Sequence, residues 1–123
     1  MPPGKRELAR IERRLITTLT DACETAKGEI KGFTWLTHTA DLNALVETLK
    51  VTWVFETLAD RQLAQVHAKA RIFELTAIAL NEANIDLTPS DRHVRFDSEE
   101  ECQRTHAGDW KSRLAQSRVF KGD

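Results

Sequence analysis

Cys102 and His106 are the two residues whose types and spacing come closest to a chemical site. They lie four positions apart in a predicted helix, so both side chains can face one metal ion. A zinc site needs further ligands, and His93, Asp97 or Glu101 could supply one. Two local ligands are a weak pattern, however, and a buried thiol beside a surface histidine explains them more simply. We therefore assign no metal and no cofactor.

An acidic run, Asp97 and Glu99–Glu101, could hold a divalent cation or form a catalytic pair of carboxylates. Ser98 and Glu99–Glu101 also form the pattern of a capping box, with acids at the positive end of a new helix. Because helix initiation calls for these residue types in this order, we favour the structural interpretation of the run.

His38, with Asp41 nearby, is the remaining candidate for proton transfer, at the end of a predicted strand. A general base needs a partner and a pocket, and a solvated histidine at a strand end is far more common. The chain has no P-loop, nucleophile elbow, CxxC pair or HExxH motif. This disfavours an enzyme, although scattered active-site residues leave no such pattern, and we assign no catalytic residue.

The arginines of the first predicted helix give the best binding signal. Arg6, Arg10 and Arg13 fall opposite its apolar stripe and Arg14 lies on the shoulder, so we predict these four as nucleic-acid-binding residues. The alternative is a solvated helix face, which helices normally have. A second basic group lies in the C-terminal tail, at Lys111, Arg113, Arg118 and Lys121.

Length and composition place further bounds on the protein. The 123 residues, 41% hydrophobic and 30% charged, predict one globular domain over residues 1–123. The net charge of -1 argues against a strong nonspecific nucleic-acid binder but leaves room for a local basic patch. Two cysteines favour free thiols in a reducing compartment. No membrane-spanning run or secretory signal is apparent, so we expect a cytoplasmic protein.

Hydrophobic periodicity predicts the order αββα(α)βα, an α+β fold in which a three-stranded sheet packs with long helices on one face. The predicted elements are a helix over 5–29, strands over 33–39 and 49–57, a helix over 57–84 with a break near 65, a strand over 93–97, and helices after 98 and from about 109. Thr57, with Asp60 three residues on, resembles a helix-start box and should cap the central helix. The first two strands should form an antiparallel pair, with Val51, Trp53, Phe55 and Phe96 in the core.

The long central helix carries two apolar stripes. One begins with Leu63 and Val66, and the other is led by Ile72 and Leu75. The sheet can cover one stripe, so the other needs the first helix, the tail or a second subunit. This requirement favours a homodimer over a monomer.

This order of elements resembles the type II KH arrangement and, with its terminal helix, the BolA family, across about residues 5–105. The resemblance is one of topology. No glycine lies between Phe33 and Ala107 to form the GxxG loop of a KH domain, and Gln65-Val66-His67 lacks the arginine of the BolA Arg-His pair. No functional residue of either family can be transferred to this chain.

Three segments, Gly32–His38, Val94–Cys102 and His106–Trp110, resemble an uncharacterised bacterial family whose members are often labelled Fis-family transcriptional regulators. The resemblance implies a regulatory role. A Fis-like protein ends in a basic helix-turn-helix, whereas the last third of this chain predicts a turn, a strand, an acidic capping box and a short tail. The family label therefore brings no mechanism with it.

Together these features predict a small cytoplasmic regulatory or adaptor domain without enzymatic activity. It would contact nucleic acid weakly through the basic helix face, or bind a protein partner. The alternative is an enzyme or metal-binding protein with a site around His93, Asp97, Cys102 and His106. The sequence names no ligand, partner or target.

Overall fold

A computed structural model describes residues 4–119, with side chains as far as residue 115. Its helices are α1 (Lys5–Lys27), α2 (Leu45–Thr48), α3 (Leu58–His67), α4 (Lys69–Glu82), α5 (Glu99–His106) and α6 (Trp110–Val119). Its strands are β1 (Phe33–Thr39), β2 (Lys50–Phe55) and β3 (Val94–Ser98). This order confirms the predicted α+β fold.

The three strands form one mixed sheet in the order β1-β2-β3. β1 and β2 are antiparallel, with Leu36 opposite Trp53, as the sequence predicts. β2 and β3 are parallel, with Trp53 opposite Phe96. A parallel pair needs a long crossover connection, which α3 and α4 supply here.

One face of the sheet forms the core. Val51, Trp53 and Phe55 lie on this face of β2 and are fully buried, as predicted for core residues. Thr52 and Val54 on the other face are buried as well, so β2 is buried on both faces rather than half-buried. Phe33 packs against Trp53 with ring centroids 5.1 Å apart. Phe96 is only partly buried and packs against the edge of this core, so it is less central than the sequence suggests.

The two long helices pack against each other over this face. Ile72 and Leu75 of α4 are buried, and α4 runs beside α1, whose Leu15 and Leu19 are also buried. The stripe led by Ile72 and Leu75 is therefore covered by the first helix, one of the three alternatives that its pattern left open.

The other predicted stripe is wrong in its first half. Leu63 is 52% exposed and Val66 is 73% exposed. The cause is a helix break at Ala68, whose backbone leaves the helical region (φ -119, ψ 8). Because the break redirects the chain, α3 and α4 do not share one continuous face.

The final helix contacts the opposite face of the sheet. Trp35 pairs with Val54 and so points away from Trp53. Trp110 of α6 meets the Trp35 ring edge to face, with centroids 5.0 Å apart. The prediction that all helices lie on one face is therefore wrong for α6, since Trp35 and Val54 give the second face an apolar patch that also needs cover.

Local start signals behave as predicted. The Thr57 side chain accepts a hydrogen bond from the Asp60 N–H at 3.0 Å, and the Ser98 side chain accepts one from the Glu101 N–H at 3.0 Å. Gly32, rather than Gly28, is the left-handed residue after α1, with φ +80.

Candidate nucleic-acid interface

The basic face of α1 is the four-residue set Arg6, Arg10, Arg13 and Arg14. The first three are exposed and Arg14 is half-buried. Burial of Leu15 against the sheet and α4 fixes the rotation of the helix, so the arginines are held on the outer side. The predicted placement of these residues is thus found in the structure, although placement alone does not test binding.

Few of these charges are neutralised within the chain. Arg10 lies 3.6 Å from the Glu7 carboxylate, and both side chains are more than half exposed. Among the side chains that the structure describes, Arg6, Arg13 and Arg14 have no carboxylate within 4 Å. A solvated ion pair such as Arg10–Glu7 exchanges readily for another anion, because exposed pairs contribute only about 0–1 kcal/mol.

The basic face lies at one end of the sheet. Glu12 of α1 contacts His38 near the end of β1, at 3.4 Å, so the first turns of α1 extend past that end. The same end carries the start of β2, where Lys50 lies opposite Thr39. The Lys50 ammonium donates to the backbone carbonyl of Arg92 at 3.4 Å. Arg92, a further cationic residue, therefore also lies at this end of the sheet.

The acidic run lies at the opposite end of the sheet, and its carboxylates bind groups of the protein itself. Asp97 accepts two hydrogen bonds from the Arg113 guanidinium, at 2.7 and 2.8 Å. The Glu99 carboxylate accepts from both the Trp35 and the Trp110 indole N–H, at 2.7 and 2.8 Å. These contacts attach α6 to the sheet.

The other two acids join α5 to α3. Glu100 accepts a hydrogen bond from the Leu58 backbone N–H at 2.8 Å, and Glu101 accepts one from Arg61 at 2.6 Å. Glu101 also accepts from the Ser98 hydroxyl at 2.9 Å, whereas the Ser98 backbone N–H, which the acid of a capping box would bind, donates to Asp97 at 2.9 Å. These contacts favour the structural interpretation of the acidic run.

The four residues of the alternative metal or catalytic site do not form a ligand set. In the described part of the chain, no group of three or more histidine, cysteine or acidic side chains could hold a metal ion. Asp97 is engaged by Arg113, and His106 has the Thr105 hydroxyl 2.7 Å from its Nδ1. Cys102 and His106 lie on one helix, as predicted, but they do not form a ligand set with His93 and Asp97.

Cys102 and His93 each have a structural role. Burial raises the pKa of the fully buried Cys102 thiol, which disfavours the thiolate that metals and electrophiles require. His93 accepts a hydrogen bond at Nδ1 from the Ser90 N–H, at 3.1 Å. Its Nε2 must then carry the proton, and it donates to the Val46 carbonyl at 2.8 Å.

His38 is paired differently from the prediction. Its ring lies beside Glu12, not Asp41, whose carboxylate instead accepts a hydrogen bond from the Asn43 N–H at 2.9 Å. His38 lines a groove between α1 and β1 that also contains Ile16 and Cys23. This groove was not predicted from the sequence, although Ile16, an apolar residue outside the main stripe of α1, was a signal for it.

Comparisons with family models, curated proteins and solved structures give no match for this chain. The similarity to the Fis-labelled family, and the topological resemblance to KH and BolA proteins, therefore stay predictions. None of the helices in residues 4–119 is long and apolar enough to cross a bilayer.

Proposed function

We propose that this protein is a small cytoplasmic regulatory or adaptor domain without enzymatic activity, which contacts nucleic acid through the phosphate backbone. The contact surface is the basic face of α1. The supporting observation is the contrast in pairing: three of the four arginines have no carboxylate within 4 Å among the described side chains, whereas the acidic run is occupied by internal donors.

The chemistry of the face suits phosphates more than bases. Guanidinium groups pair with phosphate oxygens without regard to sequence. A site of three or four phosphates on double-stranded DNA predicts a slope of about -3 in a plot of log K against log salt concentration. Binding should be weak at physiological salt, since a face of this size neutralises few phosphates.

Charge reversal on the basic face tests the proposal. In Arg6→Glu/Arg10→Glu, two exposed cations become anions, and we expect binding at low salt to fall at least tenfold. The measurement is fluorescence anisotropy with labelled duplex DNA and single-stranded RNA over a series of salt concentrations. The fold should survive, because both residues lie opposite the buried stripe of α1.

Lys69→Glu/Arg104→Glu is the matched control. It makes the same change in net charge at exposed positions on α4 and α5. If both double variants lose binding equally, the effect is one of overall charge and the face has no special role. A wild-type protein that shows no salt-sensitive binding to either nucleic acid would overturn the proposal.

A protein adaptor is the second candidate, favoured by the exposed apolar residues of α3. Leu63 lines a groove of about 250 Å³ together with Ile30 and Ala64, and Val66 is exposed on the same helix. An amphipathic helix of a protein partner is the occupant that such a groove fits. Loss of partner binding in Leu63→Glu, with nucleic-acid affinity unchanged, would favour this candidate over the first.

A further inference from the structure

β1 leaves one edge of the sheet open. Within residues 4–119 its only neighbouring strand is β2. No backbone hydrogen bond outside the sheet, among those of the described residues, engages positions 34–39. One row of peptide N–H and C=O groups along β1 therefore points away from the protein, which is the arrangement that another extended strand can pair with.

The two edges of the sheet differ in their protection. Edge strands normally carry charges or proline, which discourage pairing with a second chain. β3 carries Arg95 and Asp97 within its five residues. β1 reads Phe-Thr-Trp-Leu-Thr-His-Thr and has no lysine, arginine, proline or acid. The open edge is thus the unprotected one.

An apolar groove runs beside this edge. Its volume is about 290 Å³, and its lining includes Ile16, Leu19, Thr20 and Cys23 of α1 with Leu36 and His38 of β1. Ile16 is 48% exposed, an unusual exposure for an isoleucine beside the core. A second chain that paired a strand with β1 would place the helices that cover its own sheet against this groove.

The charges along the groove side of α1 are self-complementary. On an antiparallel second α1, Glu12 lies opposite Lys27, a pair centred within one residue of Leu19. The pair joins opposite charges, and it forms twice because a two-fold axis repeats every contact.

The apolar residues share the same centre. Ile16 and Cys23 both line the groove and are also centred next to Leu19. Leu36, which lines the groove too, is the middle residue of β1. If two β1 strands pair antiparallel about Leu36, no like charges face each other, because His38 is the only titratable residue of the strand. A single two-fold axis therefore accounts for both the pairing of the β1 strands and the packing of the α1 helices.

We propose that a second copy of this chain binds here, about a two-fold axis that passes near Leu36 and Leu19. The two β1 strands pair antiparallel to give a continuous six-stranded sheet. The two α1 helices pack antiparallel above them, at the usual interaxial distance of about 8–10 Å. This seam differs from the Ile72 stripe, which α1 buries within one chain.

Sedimentation equilibrium measures the assembly and its dissociation constant. We expect the wild-type protein to have twice the monomer mass at micromolar concentration. Ile16→Glu should weaken the dimer roughly 30-fold or more, the effect of losing a central interface residue. Val66→Glu is the matched control, because Val66 is still more exposed but lies on α3, and its dimer should be unchanged.

A charge swap tests the register. Lys27→Glu should weaken the dimer, and adding Glu12→Lys to the same chain should restore it, because the opposite charges then exchange places. A structural effect of either single substitution would not be rescued in this way. A double variant as weak as the singles would overturn the proposed register.

A disulfide supplies an independent test. Ile16→Cys, with native Cys23 in place, should give a cross-linked dimer with oxidised glutathione, joined from position 16 of one chain to Cys23 of the other. The two positions are about 10 Å apart along one helix, too far for an internal bridge. Val66→Cys is the control, and oxidised glutathione should not join its new thiol to Cys23 of a second chain.

Three outcomes would overturn the proposal. One is a wild-type monomer at 100-fold higher concentration. Another is a dimer that survives Ile16→Glu but dissociates in Val66→Glu, which would place the seam on α3. The third is a monomer whose β1 amides become protected from hydrogen exchange only when an extended peptide is added, which would make the edge a peptide site.

Discussion

The two charged regions of this protein are similar in sequence and opposite in structure. The basic face of α1 and the acidic run that spans the end of β3 and the start of α5 each group four like charges within nine residues or fewer. The acids accept hydrogen bonds from indoles, guanidinium groups and backbone N–H groups of the same chain. The arginines mostly face solvent. A cluster of charge therefore indicates an external ligand only after internal partners have been counted.

The difference arises from position in the fold. The acids begin α5, beside the N-terminus of α3, where backbone N–H groups lack partners and attract carboxylates. The arginines lie on the outer side of a long helix, whose backbone is already satisfied. Among the side chains that the structure describes, Glu7 is the one carboxylate that pairs with any of these arginines.

The largest effect on this comparison should come from Glu99→Ala. It removes the acceptor of two indole N–H groups, at Trp35 and Trp110, and so weakens the attachment of α6 to the sheet. Hydrogen bonds to charged groups contribute about 1.5–3 kcal/mol each, and these two are only part-buried, so we expect a loss of about 3 kcal/mol, the low end of their sum, in the free energy of unfolding in urea.

Glu99→Gln is the conservative control, because its single amide oxygen can still accept from an indole. We expect a smaller loss than for Glu99→Ala. Equal stability of wild type and Glu99→Ala would show that the acidic run is not structural, and the comparison between the two charge clusters would fail.

The second effect is the coupling between Asp97 and Arg113. Their side chains are only 13% and 20% exposed, and the hydrogen bond to Asp97 raises the pKa of Arg113. A double-mutant cycle with Asp97→Ala and Arg113→Ala should give a coupling energy of about 1–2 kcal/mol in unfolding experiments. A coupling near zero would mean that α6 is held by Glu99 alone.

The third effect is a pH dependence at the link between Glu29 and Arg71, which joins the end of α1 to α4. The hydrogen bond from Arg71 lowers the pKa of Glu29. Glu29 therefore stabilises the fold above its ordinary pKa, near 4.3, and this contribution is lost as the pH falls through the lowered value.

Glu29→Gln measures that dependence. Between pH 5 and pH 3, thermal unfolding of the wild type should show a steeper loss of stability than that of the variant. Because both side chains are exposed, the difference should be small and should shrink in high salt. Parallel curves for the two proteins would show that this pair contributes nothing to acid stability.

The smallest effect should come from neutralising the basic face itself. Arg6→Gln/Arg13→Gln should change the free energy of unfolding by no more than about 0.5 kcal/mol, because exposed charges without partners contribute little. Reduced nucleic-acid affinity with unchanged stability would sharpen the contrast with Glu99. A loss above 1 kcal/mol would show that these arginines have a structural role.

The amino-acid sequence predicted the elements that depend on local interactions. The bounds of β1 were predicted to the residue, and both helix caps form as expected, since Thr57 and Ser98 each bond to a backbone N–H three positions on. The helix break was placed near 65 and lies at Ala68, where no proline or glycine marks it. The four arginines were placed on the outer face because helical periodicity alone decides it.

Only the tertiary structure decided which distant residues meet. Trp35 and Glu99 are 64 positions apart, and their hydrogen bond requires the parallel pairing of β2 with β3, which no local pattern encodes. The same pairing leaves β1 at an edge beside Ile16. Local propensity fixes backbone hydrogen bonds within about four residues, whereas strand order follows from how the finished elements bury their apolar faces together.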